Sequence, residues 1–445
     1  MEPHPRQNGT LKYMKWMRRG VYPLFLTLCL GLGIALHFFS KIIGSFQDPG
    51  TSLSDVFNSI KNPRSLFAKQ DRLTILLVGQ DYNHNNKGYT YSKSSRADTV
   101  MLMSVDLANS SLRACSIPRD TLVVAPDGKT GKINATFSRG GINLLKETLQ
   151  ERFNITIDHH VIIKPDAVRE IVDSVGGVEV ETIDAMNYDD NWGGLHIHLP
   201  AGRQLVDGKG AEGFVRFREV NRTQMSKAGK IVPLKNVKSS KEEGDLRRTA
   251  RQQQLVHGLI KAASSSTNLM QADRIIGVGF EQIDTDLSKV QCLALASIMK
   301  GSAKQSMASS TVPGTNQKRN GLYYFVLDEE KAKATVDWLI KGDEGAMKKT
   351  LRVEVFNGTK TQGAAAKAAK LLADKGYSVT VSGNALPTTV TKVVYRKAAF
   401  EGLAKQIQQI FGATSVTKDA VRVGTEPDIS VTIGDDLTKT IQGMS

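Results

Sequence analysis

From Val21 to Phe39 the chain reads VYPLFLTLCLGLGIALHFF, without an Asp, Glu, Lys or Arg. Few environments accept such a run. About 20 mainly apolar residues match the hydrocarbon core of a bilayer crossed by a helix. Arg6, Lys12, Lys15, Arg18 and Arg19 precede the run, against Glu2 alone. A cationic flank of this kind stays cytoplasmic. The pattern predicts a basic cytoplasmic tail over 1–20, a transmembrane helix over 21–43 and a stalk over 44–70. The rest of the chain should then lie outside the cell membrane, held by a single-pass signal-anchor. The rival is a cleaved signal peptide, whose apolar region runs ~7–15 residues and ends at small residues. Here the exit is HFFSKIIGSF, with no Ala-x-Ala site.

This address bears on the charge. The formal net charge is +15, which favours an anionic partner such as nucleic acid, acidic lipid or a phosphorylated substrate. An anchor that sends most of the chain outside argues against nucleic acid. Cys29 lies in the apolar run, and Cys115 and Cys292 are too far apart in sequence to suggest a zinc or redox motif.

At 445 residues the chain is long enough for two to three domains. LTILLVG is a short apolar run ending in Gly79, the pattern of a buried strand. DTVMLMSVD and SLRACSIP follow as strands, GGINLLKETLQERFN as a helix and HHVIIK as a strand. PDAVREIVDSVGG then reads as a helix and VEVET as a strand. Strands alternating with helices predict an α/β domain, a mixed β-sheet flanked by helices, over 71–341. AEGFVRFREV reads as a helix end running into a strand, and DLRRTARQQQLVHGLIKAASS as a later helix. Between them lies a basic insertion, 222–243, carrying Arg222, Lys227, Lys230, Lys235, Lys238 and Lys241 without periodicity; it reads as an exposed loop. KGDEGAMKKT is expected to be a linker. Beyond it, 350–436 shows the order βαββαβ of a small independent domain.

Polar residues recur at the ends of these elements. Asp81 follows LTILLVG, at the sheet edge outside which ligands of α/β proteins tend to bind. Arg96 and Asp98 are two apart in SSRADTVML, as are Lys132 and Asn134 in GKINAT and Arg216 and Arg218 in VRFRE, so in extended backbone each pair shares a face. Arg119 and Asp120 end a strand. On a helix starting at Asp245, Arg248 and Gln252 fall on one stripe with Leu255 and Leu259 beyond them, Arg251 beside it and Arg247 facing solvent. Clustered guanidiniums suit phosphate oxygens. Two carboxylates suit Mg²⁺, which usually takes one or two carboxylates plus substrate phosphates. Each pair taken alone is more often a solvated face. His196 and His198 share a strand face in MNYDDNWGGLHIHL and read as a polar strand edge rather than a closed metal site. There is no phosphate-loop signature and no nucleophile elbow.

The series VGQD, SSRADTVML, SIPRDT, KINATF, VDSVGGVEV, LVDG, FVRFR and GDLRRTARQQQ, in this order, resembles the LytR–CpsA–Psr (LCP) family of cell-envelope proteins. Residues 350–436, with VEVFNGT, GYSVTV and DISVTIG, resemble the LytR C-terminal accessory domain. The resemblance implies a transferase of cell wall biogenesis. Such an enzyme would move a glycopolymer from a polyprenyl-diphosphate carrier to peptidoglycan with Mg²⁺, using a hydrophobic tunnel for the prenyl chain. It implies Asp81 and Asp98 as metal carboxylates. It implies Arg96, Arg119, Lys132, Arg216, Arg218, Arg248, Arg251 and Gln252 as diphosphate contacts, with Arg119 and Asp245 catalytic. Asp245 is a candidate base for the acceptor hydroxyl or, equally, a structural partner of Arg248 at i+3. A polyprenyl-phosphate pyrophosphatase and a non-enzymatic envelope scaffold are the alternatives.

Overall fold

The structure, a computed structural model, describes residues 54, 55 and 58 and then 61–437, apart from 68–69, 81–82, 85–89, 92–95, 191–194, 222, 226–230, 234–237, 242–243, 264, 266–271, 300–306, 414 and 420–426. The expected membrane helix and Asp81 lie outside the described residues. No helix of the described residues is long and apolar enough to cross a membrane.

A six-stranded mixed sheet forms the larger part. Its strands are β1 (Arg72–Gln80), β2 (Ala97–Asp106), β3 (Ser111–Ser116), β4 (His159–Ile163), β5 (Ile283–Thr285) and β6 (Ala308–Thr311), in the order β5-β4-β1-β2-β3-β6. β1 runs antiparallel to β2 and parallel to β4. The apolar run of β1 is buried on both faces. Leu76 and Val78 point into one cluster with Leu102, Cys115, Leu145 and Leu149. Ile75 and Leu77 point into another with Met101, Met103, Ala294 and Ile298.

Helices cover both faces. α1 (Ile133–Phe153) starts seven residues before the expected glycine pair, which forms a kink inside it. α2 (Pro165–Ser174) and α3 (Gly208–Arg216) pack together, and α4 (Asp245–Ala263), α5 (Ala272–Gln282) and α6 (Lys289–Met299) complete the layer. A third cluster, with Val172, Val180, Ile197, Phe214, Phe217 and Leu255, joins α2, α3 and α4 to two antiparallel strand pairs. One pairs Val178–Thr182 with Gly202–Val206, and between them a hairpin pairs Met186–Asp190 with Leu195–Leu199.

Three expectations change outside the sheet. The end of the expected stalk is docked: Pro63–Leu66 forms a 3₁₀ turn against α6, and Phe67 is buried in the second cluster. In the basic insertion, Thr223–Met225 pairs with Ile231–Pro233, because Thr, Ile and Val suit extended backbone. The expected linker is largely helical. After α7 (Glu329–Val336) and a π-helical turn at Asp337–Lys341, α8 (Glu344–Thr350) is capped by Asp343 and buries Met347.

The C-terminal part has five strands, not four: β7 (Val353–Asn357), β8 (Val379–Asn384), β9 (Lys392–Tyr395), β10 (Ser415–Lys418) and β11 (Ile429–Ile433), in the order β8-β7-β11-β9-β10. Sequence reading missed β10, a short strand at the sheet edge. Helices α9 (Ala364–Asp374) and α10 (Glu401–Phe411) pack on this sheet. This part also packs against the main one. Val353, Val355, Phe400, Ile407 and Val431 belong to the same buried cluster as Leu76, Leu102 and Cys115 of the main sheet. Trp338 stacks on Phe400 with ring centroids 5.9 Å apart, and its carbonyl accepts from Arg113 Nη1 at 2.8 Å. Cys115 and Cys292 both remain thiols, and burial pushes the Cys115 thiol up to about 12.

Candidate functional site

A cavity of about 500 Å³ opens beside the C-terminal ends of β1 and β4, where the second and third hydrophobic clusters meet. Its wall is apolar, made of Leu77, Ile163, Val168, Leu195, Val215, Leu255, Val256 and Leu259. Asp98, Lys164, Arg216, Arg218, Arg248 and Gln252 line it as well, with Tyr188, Asp190, Glu212 and Glu219. An apolar lining shared with charged groups of both signs suits an amphiphile: a hydrocarbon chain with a charged head.

A break in the sheet presents Asp98. The β1–β2 register passes from Gly79–Thr99 to Gln80–Ala97, so Asp98 is the extra residue of a bulge. Bulges re-aim side chains next to active sites. Gly79 is required there, since a Cβ would lie 2.9 Å from the Thr99 side chain. Asp98 then accepts from Arg119 Nη1 at 3.0 Å and from Arg218 Nη2 at 3.3 Å. This bridges two arginines that are about a hundred residues apart in sequence. Arg119 stays in place through its carbonyl, which accepts from Asn134 N at the start of α1.

Arg216 and Arg218 do line one cavity, but strand alternation is not the reason. α3 continues through Arg216, and Phe217 then turns to extended backbone and is buried. Phe214 and Phe217 anchor the segment, leaving both arginines exposed at the cavity. Arg216 donates to Glu212 Oε1 at 2.6 Å, one helical turn back. The other oxygen of Glu212 accepts from Arg169 Nε. Sequence reasoning passed over Glu212; the signal was its i, i+4 spacing to Arg216. The Gly244 N–H donates to the Arg218 carbonyl at 3.0 Å, so the basic insertion leaves and returns at the cavity's edge.

The three glutamines of α4 part company. Gln252 lines the cavity one turn beyond Arg248, and Leu255 and Leu259 continue that stripe as apolar wall. Gln253 donates to Ser116 Oγ at 2.7 Å and ties the helix to the main sheet. Gln254 accepts from the Glu181 N–H. Arg247 is exposed, as its place on the helix predicts.

Several expected contacts lie elsewhere. Arg251 is buried at 3% exposure; it donates to the Phe214 carbonyl at 2.7 Å and the Phe217 carbonyl at 2.5 Å, with its guanidinium over the Phe217 ring. The correction follows from helix geometry: one hundred degrees per residue turns Arg251 off the Arg248–Gln252 stripe and onto the end of α3. Lys132 is not among the lining residues either. It ends the short strand Thr130–Lys132 just before α1, while Asn134 is buried inside that helix, and it pairs with Asp120 at 2.9 Å. Arg96 is exposed and does not line the cavity. Asp245 begins α4, and its side chain is outside what the structure describes.

Arg251→Leu should therefore act on stability. It would leave two carbonyls at the end of α3 unsatisfied, at a cost of roughly 3 kcal/mol. A urea midpoint shifted down accordingly is the expected result. Normal stability with lost phosphate binding would restore Arg251 to the diphosphate set.

The charges at the opening act on one another. Burial and the carboxylates of Asp190 and Glu219 push the Tyr188 phenol above its ordinary range, while Arg216 and Arg218 pull it down. On the outer face of the same hairpin, His196 Nδ1 and His198 Nε2 both meet Asp189 Oδ1, at 2.7 and 3.1 Å. The described residues contain no group of three or more His, Cys, Asp or Glu that could hold a metal ion. Asp98, Asp190, Glu212 and Glu219 bring carboxylate oxygens to the cavity.

The chain matches the LytR_cpsA_psr family over residues 48–231 and 234–341. Residues 350–437 match LytR_C, the LytR cell envelope-related transcriptional attenuator. It is 26% identical over 332 residues to the polyisoprenyl-teichoic acid–peptidoglycan teichoic acid transferase TagV of Bacillus subtilis (strain 168), covering 72% of this chain and 78% of that protein. To the transferase of the same description TagU of Oceanobacillus iheyensis it is 24% identical, covering 72% and 91%. The crystal structure of B. subtilis TagV superposes with a TM-score of 0.49 at 26% identity, over 61% of this chain and 98% of that one.

Proposed function

The chain belongs to the LytR–CpsA–Psr family, and from that premise we propose that it is a membrane-anchored phosphotransferase working outside the cytoplasmic membrane. It moves a glycopolymer from a polyprenyl-diphosphate carrier to peptidoglycan, with Mg²⁺. The observation that carries this reading is the cavity itself: an apolar wall sized for hydrocarbon, with Arg216, Arg218 and Arg248 lining it beside Asp98. The two curated transferases described above act, by their names, on polyisoprenyl-linked teichoic acid and peptidoglycan.

In this reading the prenyl chain lies along Leu77, Ile163, Leu255 and Leu259. Arg216, Arg218, Arg248 and Gln252 take the diphosphate oxygens, and Arg119 supports them from behind Asp98. Asp98, with Asp81, would hold Mg²⁺, which when bound supplies charge neutralisation between the phosphates. An acceptor hydroxyl attacks the sugar-side phosphorus, the bridging P–O bond breaks and prenyl monophosphate leaves. The arginines stabilise charge that grows on the phosphoryl oxygens as this happens. Asp245 is a candidate to receive the hydroxyl proton. An anchor at 21–43 would hold the chain at the membrane that carries the substrate.

Purified full chain, given a prenyl-diphosphate-linked glycan and peptidoglycan, is expected to attach glycan to the wall polymer and release prenyl phosphate, and EDTA should stop both. Equal release without peptidoglycan would mean a pyrophosphatase. Binding without any release would mean a scaffold.

A further inference from the structure

We propose that Glu212 is a positioning residue that holds the Arg216 guanidinium in place for the transferring phosphate; this rests on the diphosphate reading of the cavity. Glu212 is 2% exposed, although it carries a carboxylate and lines the cavity. A carboxylate survives such burial only when paired. Its two oxygens are divided: Oε1 accepts from Arg216 Nη1 at 2.6 Å, and Oε2 accepts from Arg169 Nε on α2. Both arginines are about half exposed, so the fixed member of the triad is the acid.

The fold pays unusual attention to this spot. α3 crosses α2 so closely that a Cβ at Gly208 would lie 2.2 Å from the Arg169 carbonyl oxygen. The Gly208 N–H donates to Asp173 Oδ1 at 2.7 Å, which locks the crossing. One turn later on α3 stands Glu212, so the close approach is what brings Arg169 within reach of it. Burial fixes Glu212, Arg169 pairs with its second oxygen, and Glu212 holds Arg216.

Charge alone does not explain the arrangement. A negative group lining a cavity that takes a diphosphate opposes substrate binding. It earns its place if Arg216 must be held at one orientation, since a misplacement of about 1 Å costs ~100-fold in rate. Positioning and simple charge balance therefore predict different kinetics. Glu212→Gln removes the opposing charge and keeps the shape. Affinity for the diphosphate should stay the same or rise, while kcat falls by about 10- to 100-fold.

The experiment uses the full chain. Binding of geranylgeranyl diphosphate is measured by calorimetry, and kcat and KM on a prenyl-diphosphate-linked glycan. A kcat loss with unchanged or lower KM supports the proposal. So does the absence of any further loss when Glu212→Gln is added to Arg216→Ala, since Glu212 acts through that arginine. Wild-type kcat in Glu212→Gln, a loss confined to KM, or an equal loss in both backgrounds would overturn it. If Glu212→Gln does not fold, Glu212→Asp carries the test: it keeps the charge but cannot span both arginines, and wild-type kcat there would equally overturn the role. A wild-type chain that neither binds the diphosphate nor transfers glycan refutes the functional reading itself. A working wild type with unaffected variants refutes only the role of Glu212.

Discussion

Arg216→Ala and Asp98→Ala are each expected to lower glycan transfer by about 100- to 1,000-fold while the chain stays folded. For Arg216 that is the usual cost of removing one preorganised group that meets charge growing in the transition state, and Asp98 acts through the groups it holds. Folding should survive for reasons visible at each site. Arg216 is half exposed, and without it Glu212 keeps Arg169 as its partner. Asp98 sits in a bulge outside the ladder pairing, so its loss removes no backbone bond. It does release Arg119 and Arg218 from a common partner, which scatters two guanidiniums at once. Single-turnover transfer assays check the rate, and circular-dichroism melts check the fold. Full activity in both variants would sink the phosphotransferase reading.

Trp338→Ala should destabilise the whole chain, by roughly 3–5 kcal/mol, the range for emptying a large buried aromatic site. Trp338 is buried in a turn that packs on the main sheet, and it stacks on Phe400 of the C-terminal part. Its neighbours Leu339 and Ile340 are also buried, and the Ile340 carbonyl accepts from Ser104 Oγ at 2.8 Å. Because residues of both parts share one cluster, calorimetry should show both melting together in the wild type and both moving down in the variant. Two separate transitions, only one of them shifted, would return the C-terminal part to independence. The same logic predicts that removing 350–445 exposes core rather than trimming an accessory domain.

Much of this was legible in the sequence. LTILLVG carried the pattern of a buried strand, because apolar residues at consecutive positions of a strand need cover on both faces. The α4 stripe from Arg248 through Gln252 to Leu255 and Leu259 follows from helical period alone, and so does the exposure of Arg247. The error at VRFRE has a simple cause. The helix runs through Arg216 and ends before Arg218, and five residues are too few to tell period 2 from period 3.6. The glycine pair at 140–141 read as a helix start because glycine more often ends a helix than kinks it.

What the sequence determined by itself is the set of periodic elements and the order of charged residues at their ends, since both depend on near neighbours along the chain. Only the tertiary structure decided which charges meet. It turned Arg251 onto the carbonyls of α3, joined Arg119 to Arg218 through the bulged Asp98, and sank Glu212 between Arg169 and Arg216. Apart from Glu212 and Arg216, which share α3, these partners come from separate segments, and their pairing is set by how closely helices and strands can pack. No local pattern encodes that distance, which is why a row of similar arginines resolved into binding groups and struts only when the chain was folded.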